Sequence, residues 1–552
     1  MALLNLQQQL AVEATEGPVA IIAGPGTGKT KTLAARITHL VQSGKAQPNQ
    51  ILALTFTKKA AQEMAERINQ TGVVVSTFHA LCSTLLDKNF TFATEQERQR
   101  IIKELPKPQP YAGKTVRELA LLVSLIKNQA AQDEHGFAKA YNHAMHAQGL
   151  VDFDDLLVMA RDLLLQDPTK RPAFSYVLVD EFQDTNALQY QLLKLLLSND
   201  NIFVIGDPNQ SIYGFRGAHG SIFESFKNDF AACKEITLGI NYRSAPQIVA
   251  LANSIFADSP QLSAFRQDSG SVRAIQLLNE YSEAQWVLDY IQQTIGGGDL
   301  LTASHHEQPR SLKDIAIVYR TRHAGRVVQK YIADSGLPFQ VVGEGSPYAK
   351  PEAQTLIALL RACDGQAVAA GGCSQHQVQE LLKKVDTTLA PADLAAALMA
   401  TFGLEKSHDL LSIVGTLVRF ATLKDALAHL DSIAVQDFYD SQAEAITLLT
   451  IHASKGLEFP VVCLVGVEDG VLPATGADML EEKRLFYVAV TRAKDDLAIT
   501  YSAHRTGKSM HASPFITEIP TAVLPKLRDA NFKADAVRLQ KRQAKRAQTS
   551  LF

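Results

Sequence analysis

Along the chain, short wholly apolar runs end abruptly in polar loops, and amphipathic stretches follow them. "VAII" (19–22) reads as a buried strand, and beyond a glycine-rich break "KTLAARITHLV" (31–41) carries apolar residues at helical spacing. "YVLV" (176–179) is apolar at every position, as a central parallel strand covered on both faces requires. "NIFVIGD" (201–207) adds a third strand. "DIAIVYRTRHAGRVVQKYIADSGLPFQVVG" (314–343) reads strand, helix, turn, strand. Residues 91–164 are polar and helical in pattern, with helix-start and amphipathic signals in "ATEQERQRIIKEL". "DGQAVAAGGCSQ" (364–375) is small and flexible, a loop. The pattern predicts an α/β fold, parallel sheets flanked by helices, with helical insertions.

Length multiplies this pattern. At 552 residues the chain exceeds one core and suggests three or four folding units. With 46% apolar and 20% charged residues it has the composition of a soluble globular protein. No apolar run is long enough to span a bilayer and nothing resembles a signal peptide, so no membrane role is expected. Five cysteines without a C-x-x-C pair argue against a structural metal or a disulfide framework and fit a reducing, cytoplasmic setting. The net charge of −3 hides an asymmetry: from Pro525 onward eight Lys/Arg face two Asp, so a basic tail follows an acidic body.

The chemistry begins at "AGPGTGKT" (23–30), set between strand and helix as a phosphate-binding loop must be. Gly24, Gly26 and Gly28, with Thr27 between them, let backbone N–H groups converge on phosphate oxygens. The helix N-terminus adds partial positive charge. Lys29 reaches the outer phosphates of ATP, and Thr30 supplies a ligand for Mg²⁺; Ala23 stands where the general pattern has its first glycine. In "YVLVDEFQDT" (176–185), Asp180 at the strand end is placed to hold the metal and Glu181 to activate water. After the third strand, Gln210 is a polar sensor candidate, and Arg216 a loop cation able to meet charge developing on a γ-phosphate.

Ten segments then occur in one order: "LNLQQQLAV", "AGPGTGKT", "LALTFTKKAAQEMAERI", "STFHALC", "VDFDDLL", "VDEFQDTN", "GDPNQSIYGFRGA", "LGINYRS", "LLTIHASKGLEFPVV" and "EEKRLFYVAVTRAK". Together they resemble the UvrD/Rep/PcrA family of superfamily 1A DNA helicases. The resemblance implies two RecA-like P-loop NTPase lobes sharing one nucleotide. It makes Gln8 an adenine reader, Tyr242 the residue stacked on the base, Glu458 a ribose ligand and Arg36 a further nucleotide contact. Arg243 becomes a γ-phosphate contact and Arg492 the arginine finger. Phe56, His79, Tyr213 and Phe215 would line a single-stranded DNA channel by stacking, with Lys58, Lys59, Thr77 and His452 at phosphates. Phe215 stands where many relatives carry tryptophan.

The expected organisation follows. A first motor lobe spans 1–90 and 165–237, with 91–164 inserted; a second spans 238–350 and 441–522, with 351–440 inserted; 523–552 form the tail. The 351–440 insertion is short for the family and lacks the G-I-G turn used there on duplex phosphates. The resemblance implies ATP-driven 3′ to 5′ travel on single-stranded DNA and unwinding at single-strand/duplex junctions during repair or replication, in a nucleoid-associated protein. Alternatives are a translocase that mainly displaces proteins, a clamp-tethered scaffold with a dead ATP site, and an RNA motor. No nuclease signature follows the second lobe. The segment "QTSLF" resembles peptides that enter bacterial sliding clamps, with Leu551 and Phe552 filling an apolar pocket and Gln548 bonding its rim.

Overall fold

A computed structural model describes residues 4–86, 90–109, 111–172, 174–218, 220–296, 310–342, 351–365, 375–404, 408–418, 420–432 and 439–533. The chain forms two compact units. The first comprises Met1–Gln276, Val467–Ala503 and Ser509–Asn531; the second is built chiefly from Leu277–Gly466 and His504–Lys508.

The first unit is organised by six strands: β1 (Val19–Ala23), β2 (Ile51–Thr55), β3 (Val74–Thr77), β4 (Tyr176–Val179), β5 (Ile202–Gly206) and β6 (Lys234–Leu238). They lie in the order β3-β2-β4-β5-β1-β6. Every pairing is parallel, with Val19 opposite Phe203 and Lys234, Ile51 opposite Tyr176, and Val177 opposite Ile202. Alternate residues feed two cores. Ile21, Ala53, Leu178 and Phe203 pack against the helices Lys29–Gln42 and Lys58–Ile68 through Leu33, Ile37 and Met64. Leu52, Leu54, Val177, Val179 and Val204 face the other way, toward Phe182, Leu188, Leu192, Phe223 and Phe226. Burial on both faces is why these strands read as unbroken apolar runs. Because all six run the same way, the loops leaving their C-terminal ends share one edge, the usual ligand edge of a parallel sheet.

The helices Glu95–Glu104, Val116–Lys127 and Phe137–Ala147 enclose a separate small core of Ile101, Ile102, Leu119, Val123, Phe137 and Tyr141. Thr94 with Glu97 closes the capping box signalled by "ATEQERQRIIKEL", and Thr115 with Glu118 closes a second. The next helix, Phe153–Gln166, sends Leu156, Leu157, Ala160 and Leu164 into the core beneath the sheet instead.

In the second unit, β7 (Ile315–Tyr319), β8 (Phe339–Val342), β9 (Ile446–Thr450) and β10 (Phe459–Val465) pair in parallel in the order β8-β9-β7-β10. Among the described residues between β8 and β9, the helices Pro351–Cys363, Gln375–Leu382, Pro391–Thr401, His408–Leu417 and Leu423–Ser432 share a core that includes Leu356, Leu360, Leu394, Leu398, Leu410 and Ile413. No helix among the described residues is long and apolar enough to cross a membrane.

Phe226 anchors the lower core of the first unit. It is fully buried, with Phe182 edge-on at 5.6 Å and Phe230 at 4.9 Å. Phe226→Ala is expected to lower stability by about 3–5 kcal/mol. Chemical denaturation of the first unit's signal measures this, and a loss below about 1 kcal/mol contradicts the packing described.

Candidate functional site

The glycine loop owes its shape to backbone angles that only glycine adopts without strain. Gly26 (φ 70) and Gly28 (φ 84) are left-handed, and Gly28 caps the helix Lys29–Gln42. Space is equally restrictive: a Cβ on Gly26 would lie 2.7 Å from the Arg243 Cβ and 2.9 Å from the Asn241 Nδ2. Lys29 turns its ammonium onto its own loop, donating to the Ala23 and Gly24 carbonyls at 3.2 and 3.4 Å. Thr27 Oγ1 donates to the Gly24 carbonyl at 2.8 Å. The helix Leu6–Glu13, capped by Asn5, aims Gln8 at the loop, where its Nε2 donates to the Thr27 carbonyl at 3.0 Å.

Residues 241–243 close over the loop. Asn241 Nδ2 donates to the Pro25 carbonyl at 2.8 Å, and its Oδ1 accepts from the Arg243 and Ser244 amides at 2.9 and 2.8 Å. The Tyr242 N–H bonds the Gly26 carbonyl, and its hydroxyl accepts from Asn5 at 2.7 Å. Its ring lies 4.8 Å from that of Phe265. The sequence reading places Arg36 among nucleotide contacts. Instead its buried guanidinium donates to the Ala11 carbonyl at 2.8 Å and sits 4.5 Å over the Phe203 ring, with burial lowering its pKa to about 10. It therefore bears on the site through the helix that carries Gln8.

The acidic side grows from β4 and β5. The Asp180 N–H extends the ladder to the Leu54 carbonyl, and its Oδ1 accepts from the Glu181 N–H at 2.9 Å. Glu181 is a left-handed non-glycine residue (φ 49), the kind of strain that persists only where surroundings enforce it. Gln183, fully buried, enforces it: Nε2 donates to Glu181 Oε2 at 2.5 Å, while Oε1 accepts the Asp207 N–H at 2.9 Å. Gly206 makes room, since a Cβ there would overlap the Gln183 Oε1 at 2.1 Å. Gln210 donates to Asp207 at 2.8 Å, and the negative charge of Asp207, after burial, helps raise the pKa of the buried Tyr487. Gln183, Asp207 and Asn241 escaped the sequence reading, although all three lie inside quoted motifs.

Burial, then Glu181, pushes the Asp180 carboxyl up to about 7, against the pull of Lys29. Asp207 is also raised by burial and opposed by Lys29. The Asp180 carboxylate and the Thr30 hydroxyl at the adjoining helix start are hard oxygen donors, the type Mg²⁺ takes.

Arg492 follows the helix Met479–Val490 and is buried, donating from Nε to the Val488 carbonyl at 2.9 Å. The strand that follows it, Ala493–Arg505, is stitched to the 243–245 segment: Ser244 Oγ donates to the Ala493 carbonyl at 2.8 Å, and the Ala245 N–H to the Lys494 carbonyl at 2.7 Å. The first unit thus gathers Lys29, Asp180, Glu181, Gln210, Arg243 and Arg492. His452 and Glu458 belong to the second unit, between β9 and β10. Gln548, Leu551 and Phe552 lie outside the described residues.

On the same sheet edge, Phe56 beyond β2 stacks on Tyr213 at 5.2 Å and 13°, and Tyr213 meets Phe215 edge-on at 5.9 Å. Arg216 corrects its sequence assignment to a γ-phosphate: it is exposed and lies over these rings, 5.3 Å from Tyr213 and 5.6 Å from Phe215. Lys58 and Lys59 are exposed at the start of the helix after Phe56, and Thr77 caps the helix Phe78–Leu86 from β3. His79 meets Phe153 edge-on at 6.1 Å, and Phe153, 63% exposed, stacks on Phe92 at 4.9 Å. Burial lowers the His79 pKa, Asp154 opposes this and Arg216 adds to it. The sequence reading missed Phe153 and Phe92; the signal for Phe153 was a large aromatic in the first turn after the Asp152 cap.

Raising Asp180 above its ordinary 3.8 means that its ionisation opposes folding, with no penalty below about pH 4 and the full penalty above about pH 7. Asp180→Asn is therefore expected to raise the thermal midpoint of the chelator-treated protein at pH 8, the gain vanishing toward pH 4. A gain independent of pH contradicts the assignment.

The family described as the UvrD/REP helicase N-terminal domain matches residues 4–231, and the UvrD-like helicase C-terminal domain matches 236–367 and 405–504. The chain is 30% identical to the ATP-dependent DNA helicase PcrA of Bacillus subtilis, over 95% of this chain and 87% of that protein. It is 28% identical to PcrA of Staphylococcus aureus (94% and 87%). It is also 28% identical to a probable DNA helicase II homolog of Rickettsia felis (94% and 96%). With both family domains matched in order over most of its length, this chain belongs to the UvrD/REP helicase family.

Proposed function

We propose that this ATP-dependent DNA helicase travels 3′ to 5′ along single-stranded DNA and unwinds junctions during repair or replication. One observation supports the reading above others: a phosphate cradle, a buried acidic cluster and a row of aromatic faces leave the same edge of one parallel sheet. Lys29 exchanges its two loop carbonyls for phosphate oxygens of ATP. Asp180 and Thr30 would hold Mg²⁺, which would supply charge neutralisation for phosphoryl transfer when bound. Glu181, fixed by Gln183, orients the attacking water. Arg243 and Arg492 stabilise the charge that develops on the transferring group. When the γ-phosphate leaves, the loops that it held relax. Phe56, Tyr213, Phe215, His79 and Phe153 then change their grip on bases, which stack on aromatic rings whatever their sequence. The direction of travel rests on the family resemblance.

Residues 548–552 would tether this motor to a replication sliding clamp. The short 351–440 insertion supports the second reading, a translocase that displaces proteins and unwinds little.

Turnover is expected to rise with single-stranded DNA. Lys29→Ala should lower it at least about 100-fold while DNA binding remains measurable by anisotropy; retained hydrolysis contradicts the cradle assignment. Removing residues 548–552 should abolish clamp pull-down and leave ATP turnover intact. Unchanged pull-down ends the clamp proposal.

A further inference from the structure

Asn128 closes the helix Val116–Lys127 and is 3% exposed. Its Nδ2 donates to Asp154 Oδ1 and to the Ser124 carbonyl, both at 2.9 Å. Its Oδ1 accepts from Asn186 Nδ2 at 2.9 Å. A carboxylate only accepts, so Asp154 fixes which end of the Asn128 amide faces it, and Asn186 must then donate to the other end. Ser124 Oγ holds the second Asp154 oxygen at 2.6 Å.

Each partner belongs to a different part of the site. Asp154 adjoins the exposed ring of Phe153 and acts electrostatically on His79. Asn186 directly follows the Glu181–Thr185 loop and caps the helix Ala187–Leu196. The Asn186 backbone also bridges Ala218, two residues beyond Arg216. Gly217 completes the contact. A Cβ there would lie 2.7 Å from the Ala130 Cβ and 3.9 Å from a Cβ atom of Asn128 and of Asn186. The acidic loop, the turn that carries Phe215, and the helix start that carries Phe153 thus meet at one buried amide.

We propose that Asn128 is a positioning residue that couples the Glu181 loop to the aromatic DNA platforms. Displacement of the loop moves Asn186, Asn186 moves the Asn128 amide, and Asp154 carries the movement to Phe153. DNA on the platforms biases the loop by the same route. This rests on the DNA-motor reading above.

The test compares the full chain with Asn128→Asp, which sets a second carboxylate against Asp154, and with the reciprocal double variant Asn128→Asp/Asp154→Asn. The double variant restores a donor–acceptor pair of reversed polarity. ATP turnover is measured without DNA and with an oligothymidylate, and DNA affinity by anisotropy. For Asn128→Asp we expect basal turnover and DNA affinity within about threefold of wild type, and DNA stimulation reduced about tenfold or more. The double variant should recover at least half of the lost stimulation, the mark of direct coupling. Full stimulation in Asn128→Asp, a parallel fall of basal and stimulated rates, or no recovery in the double variant each overturns the proposal. If Asn128→Asp melts below the assay temperature, Asn128→Ala carries the same expectation. A wild-type chain that DNA does not stimulate removes the motor reading and this junction with it. Stimulation that survives Asn128→Asp removes the junction alone.

Discussion

One ammonium set against buried carboxylates governs the first unit. Asp180 and Asp207 end neighbouring strands, burial raises both, and Lys29 pulls on both. Glu181 adds a third acid beside them, so the acids of this cluster outnumber the lysine. Ionised carboxylates in a low-dielectric site demand compensation, and a triphosphate brought to such a cluster would raise the demand. The hydrogen bonds that hold the Lys29 ammonium go to carbonyls at 3.2 and 3.4 Å, long contacts that a phosphate oxygen can replace. Long carbonyl contacts make the Lys29 ammonium easy to transfer to a phosphate oxygen, and the neighbouring carboxylates are oxygen donors of the kind a divalent cation takes.

Neutral amides carry the precision. Gln183 spans Glu181 and the Asp207 backbone, and Asn241 spans the Pro25 carbonyl and two amides of its own turn. Each presents one donor and one acceptor at fixed separation, and neither titrates. A carboxylate in either place would add a further acid and offer no donor, and a lysine would offer no acceptor. Gly206 and Gly26 are the counterparts of these amides: a Cβ at Gly206 would overlap Gln183, and one at Gly26 would meet Asn241 and Arg243.

This division explains what the sequence could disclose. Apolar runs announced β1, β4 and β5 because both sheet faces are covered, and the glycines announced the loop because the chain turns left-handed at Gly26 and Gly28. Asp180 and Glu181 were legible from their place at a strand end. Gln183, Asn241 and Asn128 were not, since a buried amide looks in a string like any solvated one. Arg36 and Arg216 show the matching limit: the charge is written in the sequence, its direction is not. The guanidinium of Arg36 turns back to Ala11 and that of Arg216 over Tyr213 and Phe215. The partners that decide such directions often lie far off in the chain, as Asn128 and Asn186 do, beyond the reach of any local periodicity. Phe153 was hidden for another reason: its helix buries Leu156, Leu157 and Ala160 in the motor core while Phe153 itself stays exposed.

The shared edge also constrains how a motor of this kind can work. β2 leads to Phe56, β4 to Asp180, and β5 to Asp207 and then, through the Gln210 turn, to Tyr213. These strands are central and fully buried, so the sheet itself is a poor place for movement, and close-packed cores resist gradual deformation. Within this sheet, change falls to the loops. The loops are short, and only Ser211 and Ile212 separate Gln210 from Tyr213. A base–aromatic stack is worth about 1–3 kcal/mol, so in the proposed DNA contact a small tilt of one ring would be enough to alter the grip on a strand. A rigid sheet with short loops at one edge therefore needs no large movement of its own to pass a change at Asp207 on to the Phe56–Tyr213 stack.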